Sequence, residues 1–323
     1  MKLKIHEYPK NNLICMTKKI TLFLFISFVL ISCTSQKVIQ KSEIVRIETK
    51  LASDAMQGRE VFTPGIDSAS AFIEKEFAKI GLSTYKDLKN YRQEFTFKEK
   101  NANNVIGMLT GKSKPNEYVI FSAHYDHLGL TTDGDDQVYN GANDDASGVT
   151  AVIALAQYFK KLGNNERTII FVAFTAEEIG IVGSKHFSKG INPEEVVAMF
   201  NIEMIGTESK WGRNSAYITG FEKSDFGTIL QKNLEKSKFK FYPDPYLKMK
   251  LFYRSDNAVL ASLGVPAHTI STSKMDEEKN YHQASDEVST LDLDNMTEII
   301  KAIAISSESI INGKDTPTRV EKR

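Results

Sequence analysis

Three short stretches of this sequence place imidazoles and carboxylates where chemistry can be built. His124-Tyr125-Asp126-His127 ends one apolar run, and Gly141-Ala142-Asn143-Asp144-Asp145-Ala146-Ser147-Gly148 leads into a helix-like stretch. Ala176-Glu177-Glu178 ends a second apolar run, and Glu203 and His282 lie further along. Imidazole nitrogen and carboxylate oxygen are ligands that zinc takes, usually three from the protein plus water at a catalytic site. Two ions about 3.5–4 Å apart can share a carboxylate and a water. Five ligands then suffice, and His124, Asp144, one of the Glu177–Glu178 pair, Glu203 and His282 supply them.

Each residue also has an ordinary structural explanation. A ligating histidine usually gives its second N–H to a carboxylate, which Asp126 would provide for His124; a hydrogen-bonded histidine at a strand end is the alternative. Asp144 and Asp145 stand where aspartate caps helices. Glu177 and Glu178 suit a helix start, but their position after a buried strand favours one as ligand and the other as general base. Glu203 sits between apolar residues and needs a partner against desolvation, either a metal or a buried ion pair. His282 lies in a polar loop, where a surface histidine is common. His127, His186 and His268 read as structural residues or as supports for the ligands. Asp133-Gly134-Asp135-Asp136 lacks the calcium-hand pattern and reads as a solvated loop.

The elements that must hold these groups follow from periodicity. Helices are expected at 42–50, 68–80 (stopped by Gly81), 146–162, 183–189, 225–236, 256–263 and 291–311. Thr63-Pro64-Gly65 reads as a turn. Strands are expected at 94–97, 104–109, 118–123, 168–174, 196–202 and 267–270. Strands alternating with helices imply an α/β fold: a three-layer sandwich with a mixed, largely parallel central sheet covered by helices on both faces. In such sheets the chemistry lies beyond the carboxyl ends of the strands. His124, Glu177, Glu178 and Glu203 are all placed there.

Length and charge bound the rest. The chain has 323 residues, with 41 basic and 41 acidic side chains, so electrostatics give no reason to expect nucleic acid as partner. Lys18-Lys19, the apolar run 20–31 and Ser32-Cys33 describe a secretory signal too short to span a membrane. Leu30-Ile31-Ser32-Cys33 resembles a bacterial lipobox, with Cys33 as the lipidated mature N-terminus; an ordinary signal peptide is the alternative. The expected organisation is a signal peptide over 1–32 (with Met16 as a candidate true start), a lipidated tether over 33–42 and a single domain over 43–323. Cys15 and Cys33 are the two cysteines, so the mature domain would carry no disulfide. The protein would be exported and held at the bacterial cell envelope.

The combination of His-x-Asp, Gly-Ala-Asn-Asp-Asp-x-Ser-Gly, Ala-Glu-Glu and Tyr-His-x-x-x-Asp, in that order, resembles the zinc-dependent exopeptidase family of secreted bacterial leucyl aminopeptidases. Glutamate carboxypeptidase and glutaminyl cyclase are its relatives. The similarity runs from about Leu51 to Ile311 and includes Gly58-Arg59 and Asn104-Val105-Ile106-Gly107. It implies that His124 and Glu203 hold one zinc, Glu178 and His282 the other, and that Asp144 bridges them. Glu177 would be the general base, Asp126 the partner of His124, and Tyr281 a donor to the oxyanion. A cis peptide bond at Asp144–Asp145 is a further implication. The chain departs from the pattern in two places: Glu203 stands where Asp is commoner, and Asn257 follows Arg254-Ser255-Asp256 where His is commoner.

The implied activity is a di-zinc aminopeptidase acting on peptides with a free N-terminus, through a water shared by the ions and a glutamate base. A single-zinc glutaminyl-peptide cyclase is the alternative within enzymes. A binding module that has lost catalysis is the alternative outside them. Keeping all five ligand positions and the base favours the peptidase.

Overall fold

The computed structural model describes Met1 and residues 39–323. The signal-peptide and lipid-anchor expectations, with Met16, Cys15 and Cys33, lie outside the described residues. Ile39 is buried, and Lys41 already begins a helix. One compact unit comprises Ile39–Arg323, with the apolar side chain of Ile39 packed into the core ahead of the helix.

The strands are β1 (Ser83–Thr84), β2 (Arg92–Phe97), β3 (Lys100–Leu109), β4 (Lys114–His124), β5 (Gly129–Leu130), β6 (Val138–Tyr139), β7 (Arg167–Phe174), β8 (Val196–Ile202), β9 (Ser215–Ile218), β10 (Lys240–Pro243) and β11 (Ala267–Ser271). The helices are α1 (Lys41–Leu51), α2 (Pro64–Ile80), α3 (Ser147–Leu162), α4 (Val182–Lys189), α5 (Phe226–Leu234), α6 (Asn257–Ser262) and α7 (Leu293–Ile311). One mixed sheet has the order β1-β3-β7-β4-β8-β11-β9-β10, with β2 also paired to β3. Its centre, β7-β4-β8-β11, is parallel, and antiparallel pairings join β3 to β7 and β9 to β11. β5 and β6 form a separate hairpin whose exposed tip carries Asp133-Gly134-Asp135-Asp136.

Continuous apolar sequence explains the centre. Every residue of β7 and β8 is buried, as expected of strands covered on both faces. The two-residue alternation sends Ile169, Phe171 and Ala173 to one core and Ile170, Val172 and Phe174 to the other. The first core lies under α1, α2, α3, α5 and α7, and the second under α4 and α6. Phe121 stacks on Phe171 and Phe200 across adjacent strands and on Phe159 of α3.

Several elements differ from the sequence reading, including the two-residue strands β1, β5 and β6. Thr63-Pro64-Gly65 is the start of α2, not a separate turn: Pro64 occupies the first helical turn, and Gly81 closes the helix at φ +77°, consistent with proline and glycine preferences at helix ends. Strands β9 and β10 had no sequence signal; they are short, and β10 is an edge strand containing Pro243.

Arg59 ties the loops together. It is 1% exposed and sits in a short 3₁₀ segment, Asp54–Arg59. Its guanidinium donates to the carbonyls of Tyr125 (2.9 Å), Leu51 (2.8 Å), Asn140 (2.6 Å) and Gly141 (2.9 Å). One side chain thus joins the end of α1, the loop after β4 and the loop before α3. Glu48 of α1 accepts from Thr150 of α3 at 2.6 Å, while its other oxygen is buried with no partner. Burial pushes the Glu48 carboxyl up to about 8, against the Thr150 hydrogen bond and the Arg59 charge.

Two outcomes follow from these groups. Arg59→Lys cannot reproduce a fork that reaches four carbonyls, so it should lower unfolding stability by about 3 kcal/mol or more. Urea denaturation checks this, and a loss below about 1 kcal/mol would mean the loops are held by something else. In the folded chain Glu48 keeps its proton up to about pH 8, whereas an ordinary glutamate loses it near the reference value of 4.5. The unfolded state binds fewer protons in that window, so the group makes stability fall as pH rises from 4.5 to 8. Glu48→Gln should remove that slope and raise the melting temperature at pH 8. An unchanged pH profile would show that Glu48 is not the group responsible.

Candidate functional site

The site lies where β4, β7 and β8 end. His124 is the last residue of β4, Glu177 and Glu178 follow β7, and Glu203 follows β8. Asp144 comes from the loop before α3, and His282 from the loop after β11. The structure brings these six together with Tyr281. Asp144, Glu177, Glu178, Glu203, Tyr281 and His282 line one pocket of about 570 Å³, open to solvent.

The carboxylate of Asp144 stands between two imidazoles. Its Oδ1 is 3.2 Å from His124 Nε2 and its Oδ2 is 3.3 Å from His282 Nε2. Glu178 Oε2 is also 3.3 Å from His282 Nε2. His124, Asp144 and Glu178 each offer a ligand atom within 4.8 Å of the others. Glu203 Oε2 is buried with no hydrogen-bond partner among the described residues.

The electrostatics describe a site short of positive charge. Burial pushes Asp144 up, but the hydrogen bonds from His124 and His282 prevail and hold it far below the usual carboxylate range. Those from His127 and His282 likewise bring Glu178 below its ordinary value against burial and the charge of Asp144. His282 is pushed up to about 10 by its hydrogen bonds to Asp144 and Glu178. Burial, aided by the charges of Glu203, Asp256 and Asp126, holds Glu177 well above the usual range. Burial and the charge of Asp144 raise Glu203. A set of imidazoles and carboxylates in such a negative field, with one carboxylate oxygen orphaned, fits zinc.

Three further aspartates hold the backbone of this site. Asp126 accepts from the amides of Glu177 (3.1 Å) and Glu178 (3.2 Å). Asp145 accepts from His124 (3.3 Å), Gly148 (3.0 Å) and Met204 (3.0 Å). Asp286 accepts from Asn143 (2.8 Å) and Asp144 (3.0 Å). His124 Nδ1 bonds the backbone carbonyl of Asp126 at 3.1 Å, and the Asp126 carboxylate is 3.8 Å away. That carboxylate is committed to the two glutamate amides instead.

Local backbone accounts for the remaining pattern. Asp144–Asp145 is a cis peptide. Ala176 (φ +58°), Met204 (φ +53°) and His282 (φ +57°) are left-handed residues without the freedom of glycine. They precede Glu177, follow Glu203 and carry a candidate ligand, the kind of place where such conformations collect. Gly148 is required because a Cβ there would lie 2.2 Å from the Ile202 carbonyl and 2.5 Å from the Asp145 carboxylate. Tyr281 stacks on His282, with ring centroids 3.9 Å apart. His268 bonds the Thr219 carbonyl and Ser224, and His186 stacks on Phe95; both are structural.

Sequence reasoning missed Arg59, Asp286 as a clamp, and Arg254, an exposed guanidinium lining the pocket. For Asp286, its place in the Tyr-His-x-x-x-Asp motif was the available signal. Arg59 stood in the Gly58-Arg59 pair and Arg254 in Arg254-Ser255-Asp256, but neither was given a role.

Known proteins resemble this chain in sequence and in fold. The chain is 31% identical over 115 residues to "Aminopeptidase YwaD" of Bacillus subtilis, covering 34% of this chain and 23% of that protein. The chain thus matches about a quarter of the length of such curated relatives. Among solved structures, the fold resembles BSAP, a zinc aminopeptidase from Bacillus subtilis, with a TM-score of 0.70 at 14% identity, over 86% of this chain and 97% of that one. It also resembles the Porphyromonas gingivalis glutaminyl cyclase, with a TM-score of 0.67 at 13% identity, over 84% and 99% of the two chains. At such identities these likenesses concern the fold. The sequence profile described as peptidase family M28 matches residues 104–306, more than half of the chain, and the chain belongs to that family.

Proposed function

We propose that this chain is an exported di-zinc aminopeptidase. One observation carries the reading: the two oxygens of Asp144 face two different imidazoles, at 3.2 and 3.3 Å, as a carboxylate shared by two ions would. Charge supports two ions over one. Asp144, Glu177, Glu178 and Glu203 line the pocket; two dications would balance four carboxylates, and one would leave two negative charges buried. His124, Glu203 and Asp144 would hold one zinc, and Glu178, His282 and Asp144 the other. Zinc would polarise the scissile carbonyl and make an attacking water more acidic.

The chain's own residues supply the rest. Glu177, oriented through its amide by Asp126, takes a proton from the attacking water and returns it to the leaving amine. Tyr281 donates to the oxygen on which negative charge develops. The free amine of a peptide N-terminus would sit against a zinc and the nearby carboxylates. Leu30-Ile31-Ser32-Cys33 supports export and a lipid anchor at the cell envelope.

Glu177→Gln should keep zinc content near wild type, while turnover falls by about 10²–10⁴-fold. Glu178→Gln should lower zinc content first and turnover as a consequence. Metal analysis and peptide hydrolysis on both variants decide the roles; zinc loss confined to Glu177→Gln would exchange them, and unchanged turnover in both would end the hydrolase reading. Glu203→Ala should lose an ion. If it keeps both ions and the full rate, Glu203 is not a ligand. N-terminally free and blocked chromogenic peptides, beside a glutamine-cyclisation assay, separate the aminopeptidase from the cyclase. Cys33→Ser should move the protein out of the membrane fraction or leave it unprocessed; unchanged attachment and processing would overturn the anchor.

A further inference from the structure

His127 stands beside the ligands and has no part in the reaction above. It is 2% exposed. Its Nδ1 lies 2.9 Å from Glu178 Oε1 and 3.9 Å from Asp144 Oδ2, beyond hydrogen-bonding distance. An ionised carboxylate can only accept, so Nδ1–H is the donor. The other Glu178 oxygen, Oε2, is the one that faces His282 at 3.3 Å. The two oxygens therefore have separate partners.

The ring is held firmly. The His127 amide donates to the Arg59 carbonyl at 3.2 Å. Gly141 packs so closely that a Cβ on it would lie 2.6 Å from the imidazole Cγ and Cδ2. The His282 ring meets it edge-on at 5.8 Å. His127 Nε2 is buried without a hydrogen-bond partner among the described residues. A proton on Nε2 would be a buried, unsatisfied donor and would leave Nδ1 without one to give to Glu178, so the packing and the hydrogen bond favour the same tautomer.

We propose that His127 is a positioning residue for Glu178: its Nδ1–H fixes one carboxylate oxygen and so leaves the other aimed at the ion shared with His282. This rests on the zinc reading above and assigns His127 no contact with metal or substrate. Groups that orient a ligand in this way typically contribute 10–100-fold to metal affinity.

The test is zinc titration against a competing chelator on the wild type, His127→Asn and His127→Leu. The asparagine amide nitrogen stands close to the position of Nδ1 and can donate; leucine fills space and donates nothing. His127→Leu should weaken the more weakly held zinc by about 10–100-fold and leave the other nearly unchanged. His127→Asn should stay within a few-fold of wild type. Turnover of His127→Leu should recover at saturating zinc, which distinguishes a metal-positioning role from a catalytic one. Melting of the zinc-free proteins verifies that the variants fold, and His127→Ala replaces His127→Leu if the latter does not.

Wild-type affinity in His127→Leu would overturn the proposal. A loss in His127→Asn as large as that in His127→Leu would also overturn it, because the imidazole itself would then be needed as a ligand. Wild-type stoichiometry judges the two-zinc reading separately. If the wild type binds one zinc, that reading fails and the affinity ratio at the single ion still judges His127; if it binds none, both fail.

Discussion

Four carboxylates that share one pocket at the ends of parallel strands set the terms for everything around them. Asp144, Glu177, Glu178 and Glu203 cannot all remain ionised and close together without positive charge, since burial and mutual repulsion each favour the neutral form. The acidic residues nearby divide into two groups by how this is met. Asp126, Asp145 and Asp286 turn their oxygens to backbone amides. Among the pocket carboxylates, Asp144 and Glu178 have imidazoles beside them, while Glu177 has no side-chain hydrogen bond and Glu203 Oε2 no hydrogen-bond partner among the described residues. The first group is built into the fold, and the second is left for a cation.

The amides that the first group accepts belong to the ligands or to their neighbours. Asp145 holds His124 and the residue after Glu203; Asp286 holds Asp144; Asp126 holds Glu177 and Glu178. Arg59 adds a cation that binds only carbonyls, on the same loops. Loops from three strand ends are thereby locked before any metal arrives. Such a site loses little conformational freedom on binding, and that is how a rigid scaffold gains affinity. The left-handed residues Ala176, Met204 and His282 fit the same account, because only an over-determined surrounding keeps such conformations populated.

Much of this was legible in the sequence, and the reasons are physical. The central strands announced themselves because burial on both faces demands unbroken apolar runs, and the ligands followed because a strand end is where a polar side chain first becomes possible. The helices from α3 onward were placed to within a few residues by their 3.6-residue pattern and by glycine stops. What stayed hidden has no local signature. β9 and β10 are short strands that depend on partners distant in sequence, Ile270 and Ser271 in the case of β9. Arg59 is indistinguishable from a surface arginine until four carbonyls from separate loops converge on it. For Asp126, spacing shows that two residues are near each other, but not which atoms meet. Its carboxylate reached across to the next strand's loop, and its carbonyl took the histidine.

That last point bears on how the glutamate pair divides its labour. Asp126 fixes the turn at Glu177–Glu178 through its two backbone amides, and the two side chains that leave it meet different surroundings. Glu178 goes to His127 and His282. Glu177 has no side-chain hydrogen bond among the described residues, and burial among carboxylates holds it well above the usual range. A carboxylate tied by two imidazoles is a poor proton acceptor and a good ligand. One that is raised and unencumbered is the reverse. The different surroundings of two chemically identical neighbours thus follow from a single aspartate beneath them and from the two imidazoles that reach only one of the pair.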